Sequence, residues 1–270
     1  MALPALDTIA LPRAVALQYD NGEIVYAPGH PPLLREYSYN GLGLRTFGKT
    51  THFAANPRFQ DAYARCRIND GSNQKKAIYI DDIRWQVHVA LWAAAQAARL
   101  GSGDFVECGV NTGMYSSAIC DWLDFNTIDK DFWLFDTFNG TPVEQMSAAE
   151  RDGIGGWHNR ESYEECFERA VATFAAWPRC RLIRGTVPQT LAMFPEGRQV
   201  AYLSIDMNIV VPEIAAIKFF WDKLIPGAIV LLDDYGWATH VPQREAFDDF
   251  ARSHGLLILT VPTGQGIIIR

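Results

Sequence analysis

The sequence has few cysteines, and none of them are paired at a metal-binding spacing. There are five among 270 residues, and no Cys-x-x-Cys motif occurs. This argues against a zinc site built from cysteines and against a disulfide framework, because both need closely spaced or even-numbered sets. Scattered free thiols suit a reducing compartment, so we expect a cytoplasmic protein.

Basic runs and long apolar segments are also lacking. Lys and Arg total 24 against 31 Asp and Glu, and the longest basic run is Lys75-Lys76. A nucleic-acid-binding protein normally presents a basic face, so we do not expect nucleic acid as a partner. No stretch reaches the roughly 18 uncharged apolar residues of a membrane span. Because Pro4, Asp7 and Pro12 interrupt the apolar start of the chain, we predict no signal peptide either.

A regular alternation of strand-like and helix-like segments begins near residue 80. The strand-like runs are short and continuously apolar, which is typical of strands buried on both faces in a parallel sheet. We predict a doubly wound, mostly parallel α/β sheet of seven strands whose last strand is antiparallel. The predicted strands are 104–108, 132–135, 181–184, 200–205, 228–232, 256–261 and 266–269, and the predicted helices are 81–100, 114–123, 161–176, 188–194, 212–224 and 242–254.

Residues 1–78 differ from the rest of the chain. They are rich in Pro, Gly, Tyr and Asn and contain no chemical motif. A strand-like piece occurs at 22–26, a turn at 28–32 and a short helix at 58–67. We predict that residues 1–78 form an N-terminal extension that covers the site or mediates self-association, and that residues 79–270 form the catalytic domain. A homo-oligomer is therefore expected.

A glycine-containing turn joins the first predicted strand of this domain to the next helix. Residues 105–113 read Phe-Val-Glu-Cys-Gly-Val-Asn-Thr-Gly. Gly109 permits a tight turn, Gly113 permits close approach of a ligand, and the helix N-terminus offers N–H groups to a carboxylate or phosphate. Asn111 replaces the middle glycine of the dinucleotide motif G-x-G-x-x-G. An acid such as Glu107 followed by G-x-x-x-G is typical of methyltransferases; the alternative is an ordinary strand-to-helix turn.

Acidic residues follow three more of the predicted strands. Asp136 ends the second strand, where a carboxylate can accept both hydroxyls of a ribose, or can simply cap the turn that follows. Asp206 follows the fourth strand, and Asp233 and Asp234 follow the fifth. Because these strand ends meet at one edge of the sheet, the last three acids are expected to converge and to attract Mg²⁺ or Ca²⁺. The alternative is that Asp233 caps a turn and Asp234 is solvated.

Taken together, these motifs resemble the macrocin O-methyltransferase family of class I, metal-dependent sugar methyltransferases. The resemblance spans about residues 80–270. The first 80 residues resemble no family that we can identify. The matching pieces are Glu107-Cys108-Gly109-Val110 with Gly113, residues 135–142, Arg184-Gly185-Thr186 through Leu191, Ser204-Ile205-Asp206, and Pro226-Gly227 through Asp233-Asp234-Tyr235.

The resemblance implies S-adenosylmethionine as the cofactor and a Rossmann-like fold. The loop after the first strand would hold the methionine end, the acid after the second strand would hold the ribose, and the turn after the third would border the adenine. The cofactor-binding residues expected on this basis are Glu107, Gly109, Asn111, Thr112, Gly113, Asp136, Thr137, Gly185, Thr186 and Val187.

The resemblance also implies a metal and a general base. Asp206, Asp233 and Asp234 would hold Mg²⁺, although Asn208 stands where the family usually has a second acid. The family uses a histidine in the long loop after the second strand, which here is His158. Glycines at 153, 155 and 156 suggest that this loop is a mobile lid. His240 and Tyr235 are rival bases, and His158 would otherwise be a surface residue in a flexible loop.

The leading hypothesis is an O-methyltransferase that acts on a hydroxyl of a small acceptor, expected to contain a sugar. His158 would remove the proton, and Asp206 would act with the metal at the reacting oxygen. Two other hypotheses use the same sheet. One is an NAD-linked oxidoreductase, which the missing glycine at 111 disfavours, and the other is a non-catalytic nucleotide-binding module.

Overall fold

The computed structural model describes residues 18–20, 23–25, 37–70 and 82–270. The contacts within the chain divide it into two units, Met1–Thr51 and His52–Arg270. The predicted boundary between residues 78 and 79 falls among residues 71–81, outside the described residues, and stays a prediction. None of the described helices is long and apolar enough to cross a bilayer.

The first unit contains two small antiparallel sheets. Strands β1 (Gln18–Asp20) and β2 (Glu23–Val25) pair with each other, as do β3 (Tyr37–Gly41) and β4 (Leu44–Phe47). In the second pair, the rings of Tyr37 and Phe47 lie 5.0 Å apart. The predicted strand at 22–26 agrees with β2, whereas the predicted turn at 28–32 lies outside the described residues.

The second unit is an α/β fold. Its central strands are short and almost wholly buried, its two edge strands are more exposed, and its helices flank the sheet. The strands are β5 (Asp104–Cys108), β6 (Phe132–Asp136), β7 (Cys180–Arg184), β8 (Val200–Ile205), β9 (Leu224–Leu232), β10 (Leu259–Thr260) and β11 (Gly266–Ile269). The helices are α1 (Pro57–Ile68), α2 (Arg84–Ala98), α3 (Met114–Leu123), α4 (Ala148–Asp152), α5 (Ile154–Glu161), α6 (Phe167–Phe174), α7 (Val210–Trp221) and α8 (Val241–Ser253).

The seven strands β5 to β11 form one sheet in the order β10-β11-β9-β8-β5-β6-β7. Strands β5 to β9 pair in parallel, and β11 is antiparallel to β9. The chain moves outward from β5 to β6 and β7, then returns to the other side of β5 with β8. Strand order therefore reverses between β5 and β8, and ligands bind at the carboxyl ends of the strands beside such a point.

The predicted doubly wound, mostly parallel sheet of seven strands with an antiparallel last strand is confirmed. Two local predictions were wrong. Residues 161–166 are not part of the helix predicted over 161–176, since α6 begins only at Phe167. Residues 140–160 are not simply a loop, because they contain the two short helices α4 and α5, and His158 lies on α5.

Local hydrogen bonds explain why α4 forms in a glycine-containing segment. The Ser147 hydroxyl accepts the N–H of Glu150, and the Glu150 carboxylate accepts the N–H of Ser147, which is a complete capping box. The other carboxylate oxygen of Glu150 accepts the N–H of Val210 at the start of α7, at 2.8 Å. The segment predicted to be a mobile lid is therefore attached to the helix that follows β8.

Close approach of two backbones at the reversal point requires a glycine. A Cβ atom added to Gly109 would lie 1.7 Å from the carbonyl oxygen of Asp206, and the residue has a φ of +97°. Both features exclude a side chain, because the first is a clash with backbone and the second is the left-handed region. Gly109 thus lets β5 and the end of β8 meet beside the site.

We predict that Gly109→Ala lowers the free energy of unfolding by about 3 kcal/mol or more, since both the clash and the strain must be accommodated. Gly101→Ala is the matched control, because nothing lies within 4 Å of a Cβ atom there. Urea unfolding of both variants measures the difference. Equal stability of the two variants would contradict this interpretation of the reversal point.

Candidate active site

A cavity opens at the carboxyl ends of β5, β6, β7 and β8. Its position at the reversal point is the one expected for a cofactor in this class of sheet. Eight of the ten predicted cofactor-binding residues line it: Glu107, Gly109, Asn111, Thr112, Asp136, Thr137, Gly185 and Val187. Gly113 and Thr186 do not line it. The structure therefore brings most of the predicted set together around one space.

The carboxylate of Asp136 organises the loop between β5 and α3, which we call the glycine loop (residues 109–113). Oδ2 accepts the N–H groups of Val110 and Asn111 at 2.6 and 2.7 Å. Oδ1 accepts the N–H of Phe138 at 2.6 Å. Bonds from a carboxylate to backbone N–H groups are charge-assisted and strong. Asp136 thus combines the predicted turn-capping role with a position in the cavity.

Thr137 and two residues of the glycine loop have local structural roles. The Thr137 hydroxyl donates to the carbonyl of Gly140 at 2.5 Å and so closes the turn after β6. Asn111, with a φ of 49°, has a left-handed backbone, which is uncommon outside glycine. Gly113 packs against α6, since a Cβ atom there would lie 2.5 Å from the ring of Phe174.

Glu107 supplies a buried carboxylate at the base of the cavity. Its side chain is only 3% exposed, and its Oε2 has no hydrogen-bond partner among the described residues. Burial raises the pKa of Glu107 to about 8. Glu107 lines the cavity, and a buried carboxylate with an unpartnered oxygen suits a cationic group, such as the ammonium of an amino acid. The residues present therefore fit S-adenosylmethionine at its methionine end.

The opposite side of the cavity is formed by the turn after β7 and by the segment after β6. Gly185 and Val187 line the cavity there, together with Gln145. The Gln145 side chain donates to the Val187 carbonyl at 2.8 Å, which joins the two segments. Thr186 instead bonds to the side chain of Gln189, at 3.0 Å. Gln145 was not predicted from the sequence.

Asp206, Asp233 and Asp234 follow β8 and β9, as predicted, and they repel one another. The pKa of Asp206 lies well above its usual range because of burial and then repulsion from Asp233 and Asp234. Burial raises the pKa of Asp233 to about 6, and burial with repulsion from Asp233 raises that of Asp234. Only Asp206 of the three lines the cavity.

The carboxylate oxygens of these acids suit a hard cation, but in the described part of the chain the acids are not arranged around a common metal position. Oδ2 of Asp234 is buried without a hydrogen-bond partner among the described residues. Asn208 donates to Asp206 at 3.2 Å, and Gln265 donates to Asp233 at 3.0 Å. Within the described ranges, no group of three or more His, Cys, Asp or Glu side chains is arranged to hold a metal ion.

The three candidate bases occupy different environments. His158 stacks on Tyr163, with ring centroids 4.9 Å apart, and Tyr163 lines the cavity. Nε2 of His240 lies 3.5 Å from Oδ2 of Asp234. The Tyr235 hydroxyl donates to Asp248 at 2.5 Å. Because this bond directs the Tyr235 hydroxyl to another partner, the structure favours the histidines.

Both histidines are neutral near pH 7. Burial and the nearby His240 lower the pKa of His158 to about 4, and burial alone lowers that of His240 to about 4. Nδ1 of His158 and Nε2 of His240 are buried and have no hydrogen-bond partner among the described residues. Each ring can therefore accept a proton at one nitrogen, although a low pKa weakens it as a base.

Several residues that line the cavity were missed from the sequence. Tyr115 follows the glycine loop directly, and Tyr163 and Cys166 lie between α5 and α6. The last two were hidden by the wrong helix prediction over 161–176. Cys166 donates to the Asn111 side chain at 3.3 Å, so the segment before α6 also supports the glycine loop.

Comparison with known protein families identifies the chain. The family model described as macrocin-O-methyltransferase (TylF) matches residues 86–260, which is more than half of the sequence. The chain belongs to the macrocin O-methyltransferase family. It is therefore an S-adenosylmethionine-dependent O-methyltransferase, which favours the leading hypothesis over an oxidoreductase or a non-catalytic module. No curated protein sequence matches the chain significantly.

Solved structures support the fold of this macrocin O-methyltransferase family member. The O-methyltransferase NovP is 18% identical with a TM-score of 0.63, covering 81% of this chain and 98% of its own. The calicheamicin methyltransferase CalS11 is 16% identical with a TM-score of 0.55, covering 79% and 93%. A putative caffeoyl-CoA O-methyltransferase from Staphylococcus aureus is 10% identical with a TM-score of 0.51, covering 81% and 95%.

The raised pKa of Glu107 predicts that stability of the ligand-free protein falls as pH rises. The group keeps its proton in the folded state up to about pH 8 but loses it near pH 4.5 when unfolded. Its contribution is therefore complete below pH 4.5 and is lost as pH rises through about 8. We expect Glu107→Gln to make the decline between these values less steep, by up to about 1.4 kcal/mol per pH unit.

Urea unfolding at several pH values between 5 and 8 measures this dependence. Glu196→Gln is the control, because Glu196 is exposed. We expect the control to retain the wild-type slope. A wild-type slope in Glu107→Gln would show that the buried carboxyl is not the group that titrates.

Proposed function

We propose that this enzyme transfers the methyl group of S-adenosylmethionine to a sugar hydroxyl of a small acceptor, with assistance from Mg²⁺. The observation that carries the proposal is the juxtaposition of two sets of groups at one edge of the sheet. Glu107 and residues 109–112 of the glycine loop line the cavity, and Asp206 and Asn208 after β8 line the same cavity. A cofactor and a hydroxylated acceptor can thus meet between β5 and β8.

We propose that Glu107 binds the ammonium of the cofactor and that Asp136 borders its ribose. Both carboxylate oxygens of Asp136 already accept backbone N–H groups, Oδ2 from Val110 and Asn111 and Oδ1 from Phe138, so a ribose hydroxyl would donate to a remaining lone pair of this carboxylate. The turn of Gly185 and Val187, held by Gln145, would border the adenine. The unpartnered oxygen of Glu107 supports the first assignment, because a buried carboxylate gains most from a cationic ligand.

We propose that Mg²⁺ binds beside Asp206, Asp233 and Asp234. Repulsion among the three acids supports this, since a cation would relieve it. Half a turn of the Asn208 or Gln265 amide would present an oxygen in place of the N–H that now faces an acid. When bound, Mg²⁺ would lower the pKa of the acceptor hydroxyl and fix its orientation.

We propose that His158 is the general base. It is neutral, and Nδ1 is buried without a partner among the described residues. Its ring stacks on Tyr163, which lines the cavity, whereas His158 itself does not line it. His240 is the alternative, supported by its position 3.5 Å from Asp234. In either case the proton of the acceptor hydroxyl would move to an imidazole nitrogen as the oxygen bonds to the methyl carbon, and the bond from that carbon to the sulfonium would break to leave S-adenosylhomocysteine.

The acceptor class is proposed from the chemistry named for one protein of similar fold. CalS11 is described as a TDP-rhamnose 3′-O-methyltransferase, with 16% identity and a TM-score of 0.51. Trp157 supports a sugar acceptor, because its ring is 39% exposed beside His158, and aromatic faces pack well against sugar rings. A nucleotide-linked deoxyhexose is therefore the first acceptor to test.

Mass spectrometry of methyl transfer tests these proposals. We expect S-adenosylmethionine plus TDP-rhamnose to give a product heavier by one methyl group, and we expect chelation of Mg²⁺ by EDTA to abolish it. His158→Gln should slow transfer by about 10²- to 10⁴-fold, whereas the exposed control His254→Gln should not.

Each part of the proposal has its own contrary result. Transfer to a catechol but to no sugar would contradict the acceptor class. Full activity in EDTA, without other divalent ions, would contradict the metal. Unchanged activity in His158→Gln, together with loss in His240→Gln, would move the general base to His240.

A further inference from the structure

Asn69 connects three elements behind the cofactor cavity. It caps the C-terminus of α1 and is only 9% exposed. Its side-chain amide donates to the hydroxyl of Ser117 on α3 at 3.0 Å, and its side-chain oxygen accepts from Thr173 on α6 at 3.2 Å. Its backbone carbonyl accepts a short hydrogen bond from the hydroxyl of Thr112. One residue thus bonds to the glycine loop and to two helices.

The bond from Thr112 is the only one of these that acts directly on the glycine loop. Thr112 is completely buried and lines the cavity, and its hydroxyl donates to the Asn69 carbonyl. Its neighbour Gly113 packs on the ring of Phe174 in α6. Asn69 therefore holds the glycine loop at Thr112, whereas Asp136 holds it at Val110 and Asn111.

The end of α1 is itself fixed to α6. Arg169 donates to the carbonyl oxygens of Ile68 and Asp70, each at 3.2 Å. Helix α1 also packs along α3, the helix that begins at the glycine loop. The support that Asn69 gives is therefore continuous with two helices that flank the loop, and it does not depend on one isolated contact.

We propose that Asn69 is a positioning residue for the cofactor: it holds the glycine loop in the conformation that receives S-adenosylmethionine. The proposal rests on the placement of the cofactor in this cavity under the proposed function. Asn69 touches no cofactor atom in this assignment and acts only through Thr112, Ser117 and Thr173. The loop that it supports includes Asn111 in a left-handed conformation. Such a backbone costs free energy and persists only where the surrounding contacts hold it.

The physical reason is preorganisation. A loop already held in its binding conformation does not lose further conformational freedom when the ligand arrives, whereas a loosened loop does. Removing the Asn69 side chain keeps the backbone carbonyl to which Thr112 donates, but it removes the bonds to Ser117 and Thr173 that fix this carbonyl relative to α3 and α6. The loss should therefore appear in cofactor affinity and not only in global stability.

This residue lies outside the part of the chain that resembles the family. The family model begins at residue 86, and α1 with Asn69 falls within the stretch predicted from sequence to be an extension. In the structure, α1 lies in the same compact unit as the sheet. Part of the support for the cofactor loop thus comes from a segment that motif analysis does not reach.

Calorimetric titration with S-adenosylhomocysteine tests the proposal on the full chain. We expect Asn69→Ala and Thr112→Val each to raise the Kd by about five- to tenfold. In the double variant, the loss of binding free energy should be smaller than the sum of the losses in the two single variants. Thr112→Ser keeps the hydroxyl and should bind more tightly than Thr112→Val. Hydrogen exchange of peptides that cover residues 109–113 should be faster in Asn69→Ala and Thr112→Val.

Phe59→Leu is the matched control for helix α1. Phe59 is buried against Phe53 and Tyr63, away from the glycine loop, so its loss should lower the melting temperature with less than a twofold change in Kd. If Asn69→Ala behaves like Phe59→Leu in both readouts, the proposal is wrong. If Asn69→Ala does not fold, the comparison of Thr112→Val with Thr112→Ser decides. Absence of binding to the wild type would instead overturn the cofactor placement.

Discussion

The hydrogen bonds of the Asp136 carboxylate are the interaction on which the cofactor edge of this enzyme depends. Strands β5 and β6 each end there, and the carboxylate joins them by accepting the N–H groups of Val110, Asn111 and Phe138. This orders the glycine loop before any ligand binds, and Asn69 supports the same loop through Thr112. The shape of the cavity therefore depends on the hydrogen bonds that join the ends of β5 and β6.

The other half of the site is held in an electrostatically unfavourable state. Asp206, Asp233 and Asp234 are crowded at the ends of β8 and β9, and their raised pKa values measure the cost of keeping them close and desolvated. Amide N–H groups of Asn208 and Gln265 offset part of that cost. Perturbed carboxyls next to a cofactor cavity are typical of a functional site. The order of the strands produces this crowding, because it places β9 beside β8 in parallel, so that both strands end at the same edge.

Most of the sheet and of the cofactor side could be predicted from the sequence, because continuous apolar strands and the glycine loop have local signatures. The acids after β8 and β9 were found for the same reason, since each directly follows a strand. Tyr163, Gln145 and Asn69 could not be found, because their roles arise from contacts between distant segments. The helices α4 and α5 were missed because glycines at 153, 155 and 156 read as a flexible loop, whereas the Ser147–Glu150 capping box decides the local structure.

The most direct test of this account is the affinity of S-adenosylhomocysteine for Asp136→Asn, measured by calorimetry beside wild type. An amide has the shape of the carboxylate, but its NH₂ group cannot accept an N–H, so the bonds to both oxygens cannot be retained. The account predicts a loss of about tenfold or more in affinity, or about 1.4 kcal/mol, with the exposed control Asp61→Asn unchanged. Wild-type affinity in a folded Asp136→Asn variant would contradict the claim that this carboxylate organises the site.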